Sequence, residues 1–431
     1  IDDPPRFTGT VFRDLLQKHG ISFHPGSRIV TGKINRHAKL TAEVHSPKLD
    51  KMLRKMDKES SNFIAEMLTK QLGARERGDG TTKTGVAVID NFVRNKLGLG
   101  NDFIQKDGSG LTRLDHISPH DFIQLLKAMD NGSERDRFES YLPVAGVDGT
   151  LKKRMKDTPA EGNVTGKTGS MSGVNSLVGY VTGENGERFA FSILINGIYK
   201  SKYATKLQDD IAVTLAKYPN LPDPKTLPQE NDQYPLSGKL DPILDDDNFK
   251  GVIKGAEVYS LDRDKLLYAR NPKSLLTPGA STKLLTTATA LAKLGPNYRF
   301  RTKVYTTGSI HGRVLHGDVV VKGYGDPTLA SKGPLRVLNG PTIDEMARDI
   351  KSLGIRRIQG NIIVDDSEFS GGVYPIGWTW DQESQPSQPQ MTALSVNQGT
   401  VGLSYKPGKR PGRLIQLKLT PRTDDIHIVN R

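Results

Sequence analysis

Pro219, Pro222, Pro224, Pro228 and Pro235 fall in one segment with little apolar content, and this stretch constrains the fold of the chain more than any other feature. Proline fixes φ and offers no backbone donor, so the segment reads as a linker over about 219–235 between two mixed α/β halves. Before it, helical spacing is read over Phe12–Lys18, Ser46–Met56, Asn62–Leu72 with a stop at Gly73, Gly85–Leu97 and Pro119–Met129. Ser176–Thr182 and Arg188–Asn196 read as strands joined at Gly183-Glu184-Asn185-Gly186, a hairpin, followed by a helix over Tyr199–Lys217. After the linker, Gly251–Ser260 and Lys265–Ala269 read as a second hairpin and Ala280–Leu294 as a helix closed by Gly295-Pro296. Residues 302–322 are strand-rich, Thr342–Leu353 is helical, Arg357–Val364 is a strand, and Trp378–Gln390 is irregular and polar.

Composition removes several chemistries. The chain has no cysteine, which excludes disulfides, a thiolate nucleophile and thiolate-based zinc or iron–sulfur sites. Lys and Arg number 61 against 48 Asp and Glu, a net charge of +13. That balance fits either an anionic environment or a solvated basic face. No run approaches the roughly eighteen apolar residues of a transmembrane helix, so no transmembrane segment is expected. Ile1-Asp2-Asp3-Pro4-Pro5 has no leader character, although a processed exported protein would have lost its leader.

The segment Leu276-Thr277-Pro278-Gly279-Ala280-Ser281-Thr282-Lys283 opens a helix with small and hydroxylic residues and sets Lys283 one turn inside it. Positions 280 and 283 share a face, so a hydroxyl at 280 would lie beside the Lys283 amine at the positive end of the helix, an arrangement that activates serine for acyl transfer. Position 280 is alanine. Ser281 is one residue late, a rotation of about 100° away from the Lys283 face, and is not read as the nucleophile.

Together with Lys58-Glu59-Ser60-Ser61-Asn62-Phe63-Ile64-Ala65-Glu66, Asp107-Gly108-Ser109-Gly110-Leu111, Leu142–Leu151, Gly166-Lys167-Thr168-Gly169-Ser170 and Gly323–Leu329, this segment resembles the class C low-molecular-mass penicillin-binding proteins, D-Ala-D-Ala carboxypeptidases and endopeptidases of peptidoglycan. The resemblance implies an α/β (α+β) fold with a serine β-lactamase or DD-peptidase-like catalytic domain, an inserted strand-rich second domain and a partial third. It implies the trio Ser-x-x-Lys, Ser-x-Asn and Lys-Thr-Gly, carried here by position 280 with Lys283, by Ser60 with Asn62, and by Lys167, Thr168 and Gly169. Ser60 and Asn62 suit proton relay and the holding of a substrate amide. Lys167 and Thr168 suit a terminal carboxylate, and the N–H groups of Ala280 and Ser170 suit an oxyanion hole. Peptidoglycan stem peptides and β-lactams are the implied ligands, no cofactor or metal is implied, and location in the cell wall or periplasm follows from the substrate.

Two departures accompany the resemblance. Ala280 stands where the family has its serine; the preferred reading is a serine-to-alanine replacement that leaves ligands uncleaved, and the alternative is a natural pseudoenzyme. The order of motifs is also exchanged, because Ser60-x-Asn62 and Lys167-Thr168-Gly169 precede position 280. Either a circular permutation, which closely placed domain termini permit, or the numbering of the chain accounts for this order. Carried over, the catalytic domain covers 38–303, the second domain 304–390 with 1–37, and the partial third 391–431. Trp378-Thr379-Trp380-Asp381-Gln382-Glu383 resembles the family's acidic stretch near a diaminopimelate amine, which makes Asp381 and Glu383 substrate-binding candidates.

Plainer readings stand beside these. Taken alone, Ser60 and Asn62 would be a helix cap, Lys283 a snorkelling lysine and Lys167 an exposed strand charge. Asp107–Leu111 is read as architectural, and His116 and His120, separated by Pro119, as structural. Trp378 and Trp380 are read as packing under the second domain. A serine β-lactamase or esterase is the alternative within enzymes. A basic nucleic-acid-binding protein is the alternative outside them, disfavoured because aromatics are only 6% of the chain and no basic and aromatic residues interleave.

Overall fold

The computed structural model describes residues 1–100, 102–219, 236–332, 335–379, 385–410, 412–421, 426 and 428–430. The linker read over 219–235 lies, apart from Pro219, outside the described residues. The fold is mixed α/β, and the two halves of the chain meet in one antiparallel sheet. Its order is β4 (Thr165–Met171), β5 (Gly173–Thr182), β6 (Arg188–Ile198), β7 (Ile253–Ser260) and β8 (Lys265–Arg270). β6 and β7 come from opposite sides of the linker and pair from Phe189↔Ser260 to Asn196↔Ile253.

Alternation along the central strands separates two cores, since successive side chains leave a strand on opposite faces. Val178, Tyr180, Ala190 and Leu194 face a helical layer of α2 (Leu49–Glu59), α3 (Asn62–Arg77), α4 (Thr82–Leu97), α5 (Pro119–Asp130), α6 (Arg135–Tyr141) and α9 (Lys283–Leu294). Leu177, Val181, Phe191, Ile193 and Ile195 face α7 (Ser201–Ala216) and α8 (Leu236–Leu244). β6 is apolar on both faces because both are covered, which is why RFAFSILIN reads as a continuous hydrophobic run.

The second body pairs a mixed sheet, in the order β2 (Ile29–Thr31), β14 (Ile362–Asp365), β12 (Val319–Gly323), β9 (Arg301–Thr306) and β3 (Lys39–His45), with a smaller one. The latter runs β1 (Ser22–Phe23), β13 (Arg357–Ile358), β11 (Val314–His316) and β10 (Ser309–His311). α1 (Pro4–Lys18) and α10 (Ile343–Ser352) share a core with these strands. β3 and β9 pair from Lys39↔Thr306 to His45↔Arg301, so the boundary expected at 303 falls inside β9 and the one expected at 38 just ahead of β3. The chain crosses between bodies at Ser46 and Phe300, where Ser46 N donates to Phe300 O at 3.1 Å and Phe300 N to Ser46 Oγ at 2.8 Å. Beyond 390, Leu394 and Val396 also pack in the second body, and β15 (Gly402–Lys406) with β16 (Gln416–Thr420) forms a separate hairpin.

Several elements differ from the sequence expectation for local reasons. α1 begins at Pro4, ahead of the expected Phe12, because Asp3 Oδ1 caps Arg6 N at 3.0 Å. α3 runs through Gly73 to Arg77 and is capped by Gly78. Gly73 serves close packing, since a Cβ there would lie 2.5 Å from Asp79 O and 2.9 Å from Gly85 N where α4 crosses. The single strand expected over Arg357–Val364 is two, β13 and β14, which enter different sheets. The helix expected from Ala280 opens as a 3-10 turn over Gly279–Thr282 and becomes α-helical at Lys283.

Candidate active site

The 3-10 turn lies against the edge strand β4. Gly169 permits the approach, because a Cβ there would sit 2.3 Å from Pro278 O and 2.9 Å from Ala280 N. A Cβ on Gly279, whose φ is +57°, would lie 3.4 Å from Ser170 N. The amide nitrogens of Ala280 and Ser170 thus belong to adjoining segments. Ala280 is partly exposed, whereas Ser281 is buried and hydrogen-bonded to Ser176 Oγ at 2.7 Å and Lys167 O at 3.3 Å. Its hydroxyl is therefore committed to the strands behind the turn.

Lys283 is fully buried, not snorkelling; its Nζ donates to Asn62 Oδ1 and to Ser109 O, each at 2.7 Å. The loop bearing Ser109 is cradled by carboxylates. Asp107 Oδ1 accepts from Gly110 N at 2.6 Å and Asp107 Oδ2 from Thr112 N at 2.9 Å, while Glu66 Oε1 accepts from Gly108 N at 2.9 Å and Ser109 N at 2.8 Å. The hydroxylic run on α9 ties the same region together, with Thr282 Oγ1 donating to Asp115 Oδ2 at 3.1 Å and Thr286 Oγ1 to Gly108 O at 2.7 Å.

Ser60 ends α2 in the left-handed region, φ 58°. The capping expected of it falls to Ser61, whose Oγ accepts from Ile64 N at 3.4 Å at the start of α3. Ser60 Oγ instead accepts from Lys167 Nζ at 3.0 Å. Lys167 lies on the edge strand, as the sequence suggested, but its side chain is fully buried and not an exposed strand charge; Nζ also donates to Thr168 O at 2.9 Å. Thr168 Oγ1 donates to Thr150 Oγ1 at 2.7 Å, and Ser170 is exposed at the mouth. Asn62 Nδ2 reaches Ser387 O at 3.1 Å. Asp381, Glu383 and Trp380 lie outside the described residues. Trp378 packs against a cluster of Phe63, Met67, Phe369, Met391 and Ala393, and its Nε1 donates to Asp107 Oδ2 at 2.9 Å.

Burial sets the electrostatics. It pulls the Lys283 amine down to about 8 against the opposing pull of Asp107, Glu66, Asp57 and Asp115. Burial, and then the Lys283 charge, bring Lys167 down to about 7. Burial and the neighbouring Asp107 push Glu66 up to about 8, and the same two causes raise Asp115 well above the carboxylate range. At about 8 the Lys283 amine, touching an amide oxygen and a carbonyl, keeps a minor neutral fraction at physiological pH, and that fraction is suited to accept a proton from a hydroxyl at position 280. Sequence reading gave no site role to Glu66, Asp57, Asp115 or Thr150, and it took Asp107 as architectural and Trp378 as packing. Glu66 had a signal, standing one turn after Asn62 on α3 among apolar residues.

Among the described residues no cluster of three or more His, Asp or Glu side chains could hold a metal ion. His120 Nδ1 is paired with Glu257 Oε1 at 3.0 Å, and His116 Nδ1 with Leu114 O at 3.0 Å. No described helix is long and apolar enough to cross a membrane.

The D-Ala-D-Ala carboxypeptidase 3 family model matches residues 1–218 and 236–431. The chain belongs to this family. It is 35% identical over 234 residues to a D-alanyl-D-alanine carboxypeptidase of an Actinomadura species, a match spanning 51% of this chain and 41% of that protein. It is 33% identical over 231 residues to a penicillin-sensitive carboxypeptidase A of Dictyostelium discoideum, spanning 50% and 43%. Among solved structures, penicillin binding protein 4 of Haemophilus influenzae aligns with 29% identity and a TM-score of 0.36, over 39% of this chain and 40% of that one. The chain thus matches less than half the length of these relatives. In this carboxypeptidase-family chain hydrogen bonds join Ser60 to Lys167 and Asn62 to Lys283, with alanine at the position expected to hold the nucleophile.

Proposed function

We propose that this chain, with serine at position 280, is a serine-type D-Ala-D-Ala carboxypeptidase and endopeptidase of peptidoglycan stem peptides, and that with Ala280 it binds such peptides and β-lactams without a covalent bond. The observation that carries this reading is the buried Lys283 Nζ, one helical turn from position 280 and fixed by Asn62 Oδ1 and Ser109 O. A serine Oγ at 280 attacks the carbonyl of the penultimate D-Ala as neutral Lys283 takes its proton. The oxyanion is stabilised by the backbone N–H groups of position 280 and of Ser170. The intermediate collapses to an ester on position 280 and expels the terminal D-Ala, whose amine receives a proton through Ser60. Water then hydrolyses the ester, releasing the shortened peptide and restoring the hydroxyl. The Lys167 charge and the Thr168 hydroxyl attract the substrate's terminal carboxylate. Activity on this polymer implies export to the cell wall or periplasm, and the +13 charge suits that anionic surface.

Ala280 itself favours a second reading, a peptidoglycan-binding pseudoenzyme. Ala280→Ser decides between them. Labelling by a fluorescent penicillin and D-Ala release from a stem pentapeptide, in the serine form only, support the enzyme. A folded serine form that does neither, while the original chain binds the pentapeptide, supports the binding role.

A further inference from the structure

Asp57 stands in the last turn of α2, one turn ahead of Ser60, so both are carried by the same end of one helix. Its side chain is fully buried. Oδ2 accepts from Thr287 Oγ1 at 2.8 Å, and Oδ1 has no hydrogen-bond partner among the described residues. A carboxylate with an open oxygen in a dry interior is costly unless a cation compensates it.

Among the described residues the charges that bear on it are those of two buried lysines, first Lys167 on β4 and then Lys283 on α9, while its Oδ2 is held by the Thr287 hydroxyl. The two lysines are unequally supplied with acids. Asp107, Glu66, Asp57 and Asp115 all bear on Lys283. Among the described residues Lys167 Nζ donates to two neutral oxygens, Ser60 Oγ and Thr168 O, is repelled by Lys283, and has Asp57 as the one acid that bears on it.

We propose that Asp57 is a positioning residue for Lys167: its carboxylate is the counter-charge that keeps a proton on Lys167 Nζ and so keeps that amine donating to Ser60 Oγ. Burial raises Asp57 to about 7 and lowers Lys167 to about 7, so the two share a proton balance near neutrality. The consequence for substrate rests on the proposed role of the cleft, whereas the charge relationship does not.

The test uses the full chain with Ala280 in place, labelled with carbon-13 lysine, and follows the Lys167 side-chain resonance with pH. That resonance is assigned by its loss in Lys167→Gln. Asp57→Asn, which keeps an oxygen for Thr287, is expected to lower the Lys167 midpoint by a unit or more, a tenfold loss of proton affinity. Thr287→Val removes the hydroxyl that favours the ionised carboxylate and is expected to lower the midpoint by less, in the same direction. An unchanged Lys167 midpoint in folded Asp57→Asn overturns the proposal; if that variant does not fold, an unchanged midpoint in Thr287→Val does so. In an Ala280→Ser background the alkaline limb of penicillin acylation should move to lower pH with Asp57→Asn, a shift that simple loosening of the fold would not produce. An inactive Ala280→Ser form would refute the enzyme reading and leave the titration result standing.

Discussion

Lys283 Nζ donates to Asn62 Oδ1 at 2.7 Å and joins the first residue of α9 to the first residue of α3, two helices from opposite sides of the linker. The amine is fully buried and sits among carboxylates, so its removal is expected to be costly. Lys283→Met keeps most of the side-chain volume but leaves Asn62 Oδ1 and Ser109 O without this donor, and Asp107, Glu66 and Asp115 without this cation. A loss of about 3 kcal/mol in unfolding free energy is expected. Urea melts at about pH 7 check this, and an unchanged unfolding free energy would mean that the bonds and charge of Lys283 contribute nothing net to the fold.

Gly169 is the contact through which β4 approaches the turn at position 280. In Gly169→Ala the new methyl would meet Pro278 O and Ser176 Oγ at 2.3 Å, both fixed by the bond of Ser176 Oγ to Pro278 O at 2.6 Å. The strand must then retreat, which separates Ser170 N from Ala280 N. Misplaced oxyanion donors cost about a hundredfold in rate. Penicillin acylation of the Ala280→Ser form should therefore fall by about two orders of magnitude on adding Gly169→Ala. The midpoint of thermal unfolding should drop by only a few degrees, roughly what a strain of 1–3 kcal/mol costs a chain of this size. Unchanged acylation would remove Ser170 N from the oxyanion hole.

What could be read from sequence was what local chemistry fixes. Hairpin β5–β6 follows from alternating strands around Gly183–Gly186, and the grouping of Ser60, Asn62, Lys167 and Lys283 follows from short motifs whose spacing survives the exchanged order. What could not be read depends on contacts distant in sequence. Lys167 looks like an exposed charge on an edge strand until Ser60 at the end of α2 and the 3-10 turn at Gly279–Thr282 meet β4, and Asp57 looks like one acid among the lysines of an amphipathic helix. The strand pairing of Lys39–His45 with Arg301–Thr306 likewise shows only when both crossings at Ser46 and Phe300 are seen together. Asp381 and Glu383 were singled out by resemblance and lie outside the described residues.

Glu66 gives stability a pH dependence opposite in sign to that of an ordinary salt-bridged acid. Its carboxyl is pushed up to about 8, by burial first and Asp107 second, above the ordinary 4.5. The folded chain therefore holds this proton more tightly than the unfolded chain. The stabilisation is complete below about pH 4.5 and is lost as pH rises toward about 8, because only the unfolded state then releases the proton freely. Glu66→Gln retains an oxygen for Gly108 N and Ser109 N and does not ionise. Its unfolding free energy should fall less steeply than that of the original chain between about pH 4.5 and pH 8, leaving the decline due to the other raised acids, Asp57, Asp115 and Asp326 among them. The two curves should lie close together at the acid end and separate toward pH 8, with the glutamine form the more stable there. Denaturant unfolding across that range measures the difference directly, and parallel curves would show that Glu66 ionises in the folded chain as it does in the unfolded one.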